Sequence, residues 1–191
     1  MSPLEKISVQ LAGYPPKRLA RGEMRAAAVL VPLFLRDAEP WLLFTRRTEQ
    51  LKKHGGEISF PGGAADELDA DFWQTALRET EEEMGIRCAD VRRLGQLDDF
   101  HSIYGYRVKV CVGSYLDPYP YRVNEAEIAE VIELPLARLR DPQIYHQEDW
   151  LHRGREIPVD FYQLDGHNIW GMTAAILKQL LERLEPLFDA D

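Results

Sequence analysis

Three glutamates, at positions 79, 82 and 83, limit what this chain can become more than any other feature. They lie in the stretch from Phe60 to Ile86, FPGGAADELDADFWQTALRETEEEMGI, which divides into a tight glycine turn, an acidic loop and a helix. Phe72, Ala76, Leu77, Thr80 and Met84 recur every three or four residues, the spacing of one largely apolar helix face. Asp69 or Asp71 can cap the start, and Gly85 suits a left-handed stop. At about 100° per residue, Glu79, Glu82 and Glu83 fall within roughly 100° of arc and point to one side.

Carboxylates so placed repel one another unless something positive sits between them. Arg78 softens the repulsion but cannot neutralise it. A hard divalent cation can: Mg²⁺ or Mn²⁺ prefers oxygen ligands and keeps waters and substrate phosphates in its remaining positions. The competing reading is a solvated acidic helix face, the usual meaning of a charge run. The FPGG turn shifts the balance toward the metal, because it brings bare backbone close to where the carboxylates converge.

RETEEEMGI at 78–86, preceded by the Gly62-Gly63 turn, resembles the Nudix box: Arg-Glu-apolar-X-Glu-Glu-X-Gly-apolar after Gly-X5-Glu-X7. The second half fits position by position, with Thr80 in the first apolar slot. In the first half, counted from Gly63, Asp69 stands where the box has its first glutamate, and the step to Arg78 is one residue longer. The resemblance implies an α/β/α sandwich, a mixed central β-sheet flanked by helices. It also implies metal-dependent hydrolysis of a diphosphate bridge, with Glu79, Glu82 and Glu83 as metal ligands and catalytic residues, helped by the carbonyl of Gly62. Glu82 is a candidate for the general base.

The segment before the box narrows the resemblance. Residues 42–63, LLFTRRTEQLKKHGGEISFPGG, look like the signature of the coenzyme A pyrophosphatase branch, with its LLxTxR opening and its HxGxxxFPGG approach. The matching positions are read as Leu42, Leu43, Thr45, Arg46, Leu51, His54, Gly56, Ile58, Ser59 and Phe60 to Gly63. EIAEVIELPL at 127–136 and IWGMTAAIL at 169–177 resemble that branch too, whereas YRVKVCVG at 106–113 lacks the branch's proline. Coenzyme A or an acyl-CoA is the implied substrate, with 3′,5′-ADP and 4′-phosphopantetheine as products. Arg46, His54, Gly62 and Gly63 are the expected substrate-binding residues.

On physical grounds Arg46 ends a strand, and its guanidinium can reach a phosphate bidentately or close a structural ion pair. His54 sits in a basic, glycine-flanked loop with Lys52 and Lys53, facing a phosphate or merely solvated. Asp66, Glu67 and Asp69 read as loop solvation and helix capping. Glu125, Glu127 and Glu130 are candidates for an extra carboxylate from outside the box. Trp41, Trp73, Trp150 and Trp170 read as packing rather than base stacking.

The 191 residues suit a single domain at 26–191, with the box at about 63–86 and an arm at 1–25 packed on it. Net charge is −9, which argues against non-specific nucleic-acid binding but not against a phosphorylated small molecule, since metal and local arginines invert the charge of a site. Lys17, Arg18, Arg21 and Arg25 make the arm basic, for solubility or for phosphate. Cys88 and Cys111 form no metal spacing or disulfide framework and read as buried residues of a reduced compartment. With no signal peptide and no membrane-spanning run evident, the expectation is a cytoplasmic protein without membrane partners, and a homodimer stays open.

Residues 26–35 read as a buried strand, 41–47 as its hairpin partner, and Tyr104 to Tyr115 as a strand with one buried face. Residues 126–134 read as a strand followed by a short helix at 136–140, 157–164 as another strand, and Ile169 to Leu187 as the last long helix. Two rivals to the coenzyme A reading remain at this level. One is a sister Nudix activity on ADP-ribose, NADH or a nucleoside triphosphate; the other is a catalytically silent Nudix-fold binding module.

Overall fold

The computed structural model describes residues 1–20, 22–50, 54–152 and 154–188. Arg21, Leu51, Lys52 and Lys53, singled out above, lie outside the described residues. The apolar run AAAVLVPLFL sits inside β1 (Arg25–Arg36), and a turn at Asp37 and Ala38, both at positive φ, returns the chain as β2 (Glu39–Arg47). The two pair antiparallel only from Leu33 opposite Leu42 to Arg36 opposite Glu39. Beyond that they diverge. Two short strands fill the wedge: β3 (Ile58–Ser59) on β2, and β4 (Gly62–Ala64) on β1. The glycine turn therefore begins where β1 and β2 part.

The box helix follows as α2 (Phe72–Met84). The chain then adds β5 (Arg92–Gln96), β6 (Phe100–His101) and β7 (Tyr106–Ser114), and β7 runs parallel to β1 from Arg25 opposite Tyr106 to Leu33 opposite Ser114. The alternation in β7 predicts one buried face, but both are buried: Val108, Val110 and Val112, and also Cys111 and Lys109. The reason is position. Paired centrally with β1, the strand carries α2 over Cys111 on one side, while Val110 and Val112 join the main core on the other. Lys109 survives there because Asp99, itself buried, accepts from its Nζ at 2.7 Å. Strand β8 (Ile128–Pro135) closes the far side of β2, and the short α3 (Leu136–Leu139) follows it. The fold is thus the expected mixed sheet with flanking helices.

A second sheet of three antiparallel strands combines β9 (Tyr145–His152), β10 (Arg155–Leu164) and β11 (His167–Trp170). The first of these is not anticipated above, because HQEDWLH has no apolar face; its middle residues are exposed. One face of this sheet bears His146, Trp150, Phe161 and Trp170 in mutual ring contact. The last helix, α4 (Gly171–Phe188), starts later than its periodicity predicts. Ile169 is buried as a strand residue opposite Tyr162, so it extends the apolar pattern without belonging to the helix.

The N-terminal residues expected as an arm contain a helix, α1 (Pro3–Ala12), with a full capping box between Ser2 and Glu5. Its Ile7 and Leu11 enter the main core, and Leu11 lies so close to Gly95 that a Cβ there would meet it at 2.7 Å. Residues 17–19 are then strapped down: Asp98 accepts from Lys17 N–H, and Asp99 from Leu19 N–H and Arg18. Both cysteines are free, Cys111 buried and Cys88 partly so. Among the described residues no helix is long and apolar enough to cross a membrane.

Candidate active site

Asp71 caps α2, its side chain accepting from Gln74 N–H, and Gly85 ends the helix at φ 70°. The helix C-terminus is held from outside: Arg122 and Asn124 donate backbone N–H groups to the carbonyls of Met84 and Glu83, both at 2.9 Å. These bonds satisfy carbonyls that a helix end leaves without partners, and so fix the turn that carries the glutamates.

The three glutamates share a side of the helix but not an environment. Glu83 is 3% exposed, Glu79 is partly buried and Glu82 mostly exposed. The Glu83 carboxylate accepts from Arg47 Nη1 at 3.0 Å and from Gly62 N–H at 3.3 Å. Burial pushes its pKa up to about 7 despite Arg47 and the Gly62 N–H. Burial also raises Glu79, against the pull of Arg78. Gly63 leaves no room for a side chain: a Cβ would sit 2.4 Å from the Glu79 carboxyl carbon. The glycine turn thus presses bare backbone against the carboxylates, as the sequence suggests.

Arg78 is the hub of the exposed side. Its guanidinium grips Asp69 at 3.0 and 3.1 Å, meets Glu79 at 2.9 Å and Glu82 at 3.3 Å, and donates to the Ala64 carbonyl. Asp69, which the sequence reading treats as loop or cap, is therefore an anchor for Arg78, and that hydrogen bonding holds its carboxyl down at about 2. Among the described residues no three carboxylates, imidazoles or thiols converge tightly enough to hold a metal as the side chains stand. Arg78 instead holds Glu79 and Glu82, and Arg47 holds Glu83. The donor set still fits a hard divalent cation, for it is all carboxylate oxygen with one buried, incompletely compensated member against bare glycine backbone.

Arg46 and Arg47 part ways at a β-bulge. Arg46 pairs with Glu130 at 2.7 Å and approaches His167 Nδ1 at 2.9 Å, which is the ion-pair alternative named above. Arg47 is the one that reaches the glutamates. The signal was available, since LLxTxR counted from Leu42 ends on Arg47 and not on Arg46. Of the outlying carboxylates, Glu127 comes within 3.5 Å of Arg47, while Glu130 is taken by Arg46. His54 pairs with Glu57 at 2.8 Å and meets the Tyr104 ring edge-on, away from the glutamates' own contacts. A surface cleft of about 350 Å³ is lined by residues 163–168, His167 among them, and by no residue of α2.

A family model described as the NUDIX domain matches residues 24–153. The chain belongs to the Nudix family. Among curated relatives, an uncharacterized Nudix hydrolase NudL from Photorhabdus laumondii subsp. laumondii is 42% identical over 171 residues, 90% of each chain. A NudL from Escherichia coli is 41% identical over 156 residues, covering 82% of this chain and 81% of that one. Among solved structures, RenU, a Nudix hydrolase from M. smegmatis, aligns with TM-score 0.57 at 18% identity over 85% of this chain and 87% of that one. A MutT/nudix family protein from Enterococcus faecalis aligns with TM-score 0.56 at 13% identity over 97% and 75%. These two share the fold. This Nudix hydrolase is thus an enzyme of a pyrophosphatase family that acts on nucleoside diphosphate derivatives and generally uses divalent metals.

Proposed function

We propose that this Nudix hydrolase cleaves the diphosphate bridge of coenzyme A or an acyl-CoA, releasing 3′,5′-ADP and (acyl-)4′-phosphopantetheine. The observation that supports the reading is where the described parts of the stretch that resembles the coenzyme A pyrophosphatase branch, residues 42–50 and 54–63, lie. Its two ends meet at Glu83: Arg47 from β2 on one oxygen and Gly62 from β4 on the other.

In this reading Glu79, Glu82 and Glu83 hold Mg²⁺ or Mn²⁺, which when bound supplies Lewis-acid polarisation of the phosphoryl oxygens and a more acidic water. Gly62 and Gly63 let backbone approach the carboxylates without intervening side chains. Arg78, fixed by Asp69, orients Glu79 and Glu82. Glu82, the most exposed of the three, is the candidate to accept a proton, and Glu127 is a further carboxylate within reach of Arg47. Arg46 and His54 are the candidates for the substrate's outer phosphate.

The test is a panel of coenzyme A, 3′-dephospho-coenzyme A, ADP-ribose and NADH, with products separated chromatographically at saturating Mg²⁺ or Mn²⁺. Coenzyme A should give the highest kcat/KM and the two named products. A preference for ADP-ribose or NADH would replace this substrate while keeping the hydrolase. No turnover of any diphosphate would favour a silent binding module.

A further inference from the structure

The two arginines of the site are held in different ways. Arg78 is locked by Asp69 and by the Ala64 carbonyl, so its position does not depend on the glutamates. The Arg47 guanidinium has no such anchor among the described residues. It meets Glu83 Oε1 at 3.0 Å and, more loosely, the half-exposed Glu127 at 3.5 Å. Glu83 depends on it in turn, since the carboxylate is 3% exposed and its other contact is a single N–H from Gly62. A buried carboxylate left without a positive partner is costly, so a metal-free protein needs this guanidinium.

The same carboxylate cannot serve a guanidinium and a divalent cation equally well. The two cations repel across a few ångströms in a poorly screened site. We propose that Arg47 is the resident counter-ion of the metal-free site, displaced from Glu83 when that carboxylate turns to a divalent cation. The freed guanidinium then faces the phosphates of the diphosphate substrate. Three features permit the exchange. The Arg47 side chain keeps 23% of its surface exposed, so an outward path exists. It projects from the last residue of β2, just past the bulge, where the backbone stays pinned by Gly56 and Glu57 and only the long side chain has to swing. A guanidinium fork also matches two phosphate oxygens as well as it matches a carboxylate. The proposal rests on the assignment of the metal to the helix glutamates, and it makes Arg47 a cation with two sequential anions.

The test separates metal affinity from catalysis. Mn²⁺ binding is titrated by electron paramagnetic resonance at pH 8.5, without substrate, on wild type, Arg47→Gln, Arg47→Lys and Glu83→Gln. Removing the competing charge should tighten Mn²⁺ in Arg47→Gln by roughly tenfold, the low end expected from the loss of a charge-assisted hydrogen bond. Arg47→Lys, with a shorter and more strongly hydrated cation, should fall between Gln and wild type. The metal-free melting temperature of Arg47→Gln should drop, and KM for the diphosphate at saturating Mn²⁺ should rise more than kcat falls. A purely structural arginine would weaken metal and substrate together. Unchanged or weaker Mn²⁺ binding in Arg47→Gln overturns the exchange, and if that variant does not stay folded, Arg47→Lys binding no tighter than wild type does the same. Wild-type Mn²⁺ affinity in Glu83→Gln would instead remove the metal assignment, and the exchange with it.

Discussion

Adjacent glycines in the turn should respond to the same substitution in opposite ways. At Gly62, φ is 155°, and an added Cβ would lie 2.4 Å from the Ala28 carbonyl oxygen and 2.6 Å from Val29 Cα. Both obstacles are backbone of β1, the strand that β4 pairs with, so neither can yield without opening the sheet. Overpacking costs about 1–3 kcal/mol and a strained backbone conformation a similar amount, which puts Gly62→Ala at about 2–6 kcal/mol. For a domain of this size that is a fall in melting temperature of roughly 5–15 °C. At Gly63 the obstacle is the carboxylate of Glu79, at 2.4 Å, the far end of a flexible side chain. Gly63→Ala should therefore melt within a few degrees of wild type, at a cost of about 1 kcal/mol. It should still lose on the order of a hundredfold in kcat, because Glu79 is pushed from its place by more than an ångström. The assay is thermal unfolding beside steady-state kinetics at saturating Mn²⁺. Gly63→Ala with wild-type kcat, or Gly62→Ala with wild-type stability, would show that the turn does not hold the carboxylates as argued.

Glu83→Gln should lower turnover by orders of magnitude while leaving metal-free stability unchanged or slightly raised, since it removes a buried charge; near-normal turnover at saturating Mg²⁺ would refute its role as ligand. Melting should rise with Mn²⁺, by about 2.7 kcal/mol at a hundredfold excess over Kd, in wild type and much less in a Glu79→Ala, Glu83→Ala double variant; an equal rise would place the metal elsewhere. The depressed Asp69 carboxyl contributes stability that is complete above its unfolded value near 3.8 and disappears as pH falls through about 2. Asp69→Asn should remove that acid-sensitive component of about 1–2 kcal/mol, and denaturant melts between pH 5 and 2 with the same slope in both proteins would contradict it. If Arg46 serves the substrate's outer phosphate, Arg46→Ala should shrink the preference for coenzyme A over its 3′-dephospho form by up to about tenfold, with an unchanged ratio leaving Arg46 as a structural partner of Glu130.

What the sequence discloses about this site follows the range of the interactions involved. The helix limits, the Asp71 cap and the left-handed Gly85 depend on neighbours within a few residues, and the pattern of 72–85 carries them intact. The capping box at Ser2 and Glu5 is equally local, and passing over it leaves α1 hidden inside an arm. Strand β9 escapes for a different reason. Its side chains are mostly solvated, and alternation marks a strand only where one face is buried. Lys109 inverts the problem: its burial depends on Asp99 and on a central place in the sheet, neither of which the alternation of β7 records.

The charge balance of the site divides in the same way, with a chemical consequence. Arg78 and Glu82 are four residues apart on one helix, and the sequence already pairs them. Glu83 is compensated by Arg47, from a strand on the other side of the glycine turn, and only the divergence of β1 and β2 brings the two together. A compensation built into the helix persists whatever binds. One assembled across the opened sheet can be exchanged, and it falls on the most buried of the three carboxylates, where an uncompensated charge costs most. On the proposed assignment of the metal to the helix glutamates, the carboxylate that most needs a cation is the one whose resident cation is least firmly held, which is the condition for a site that holds together without the metal and still admits it.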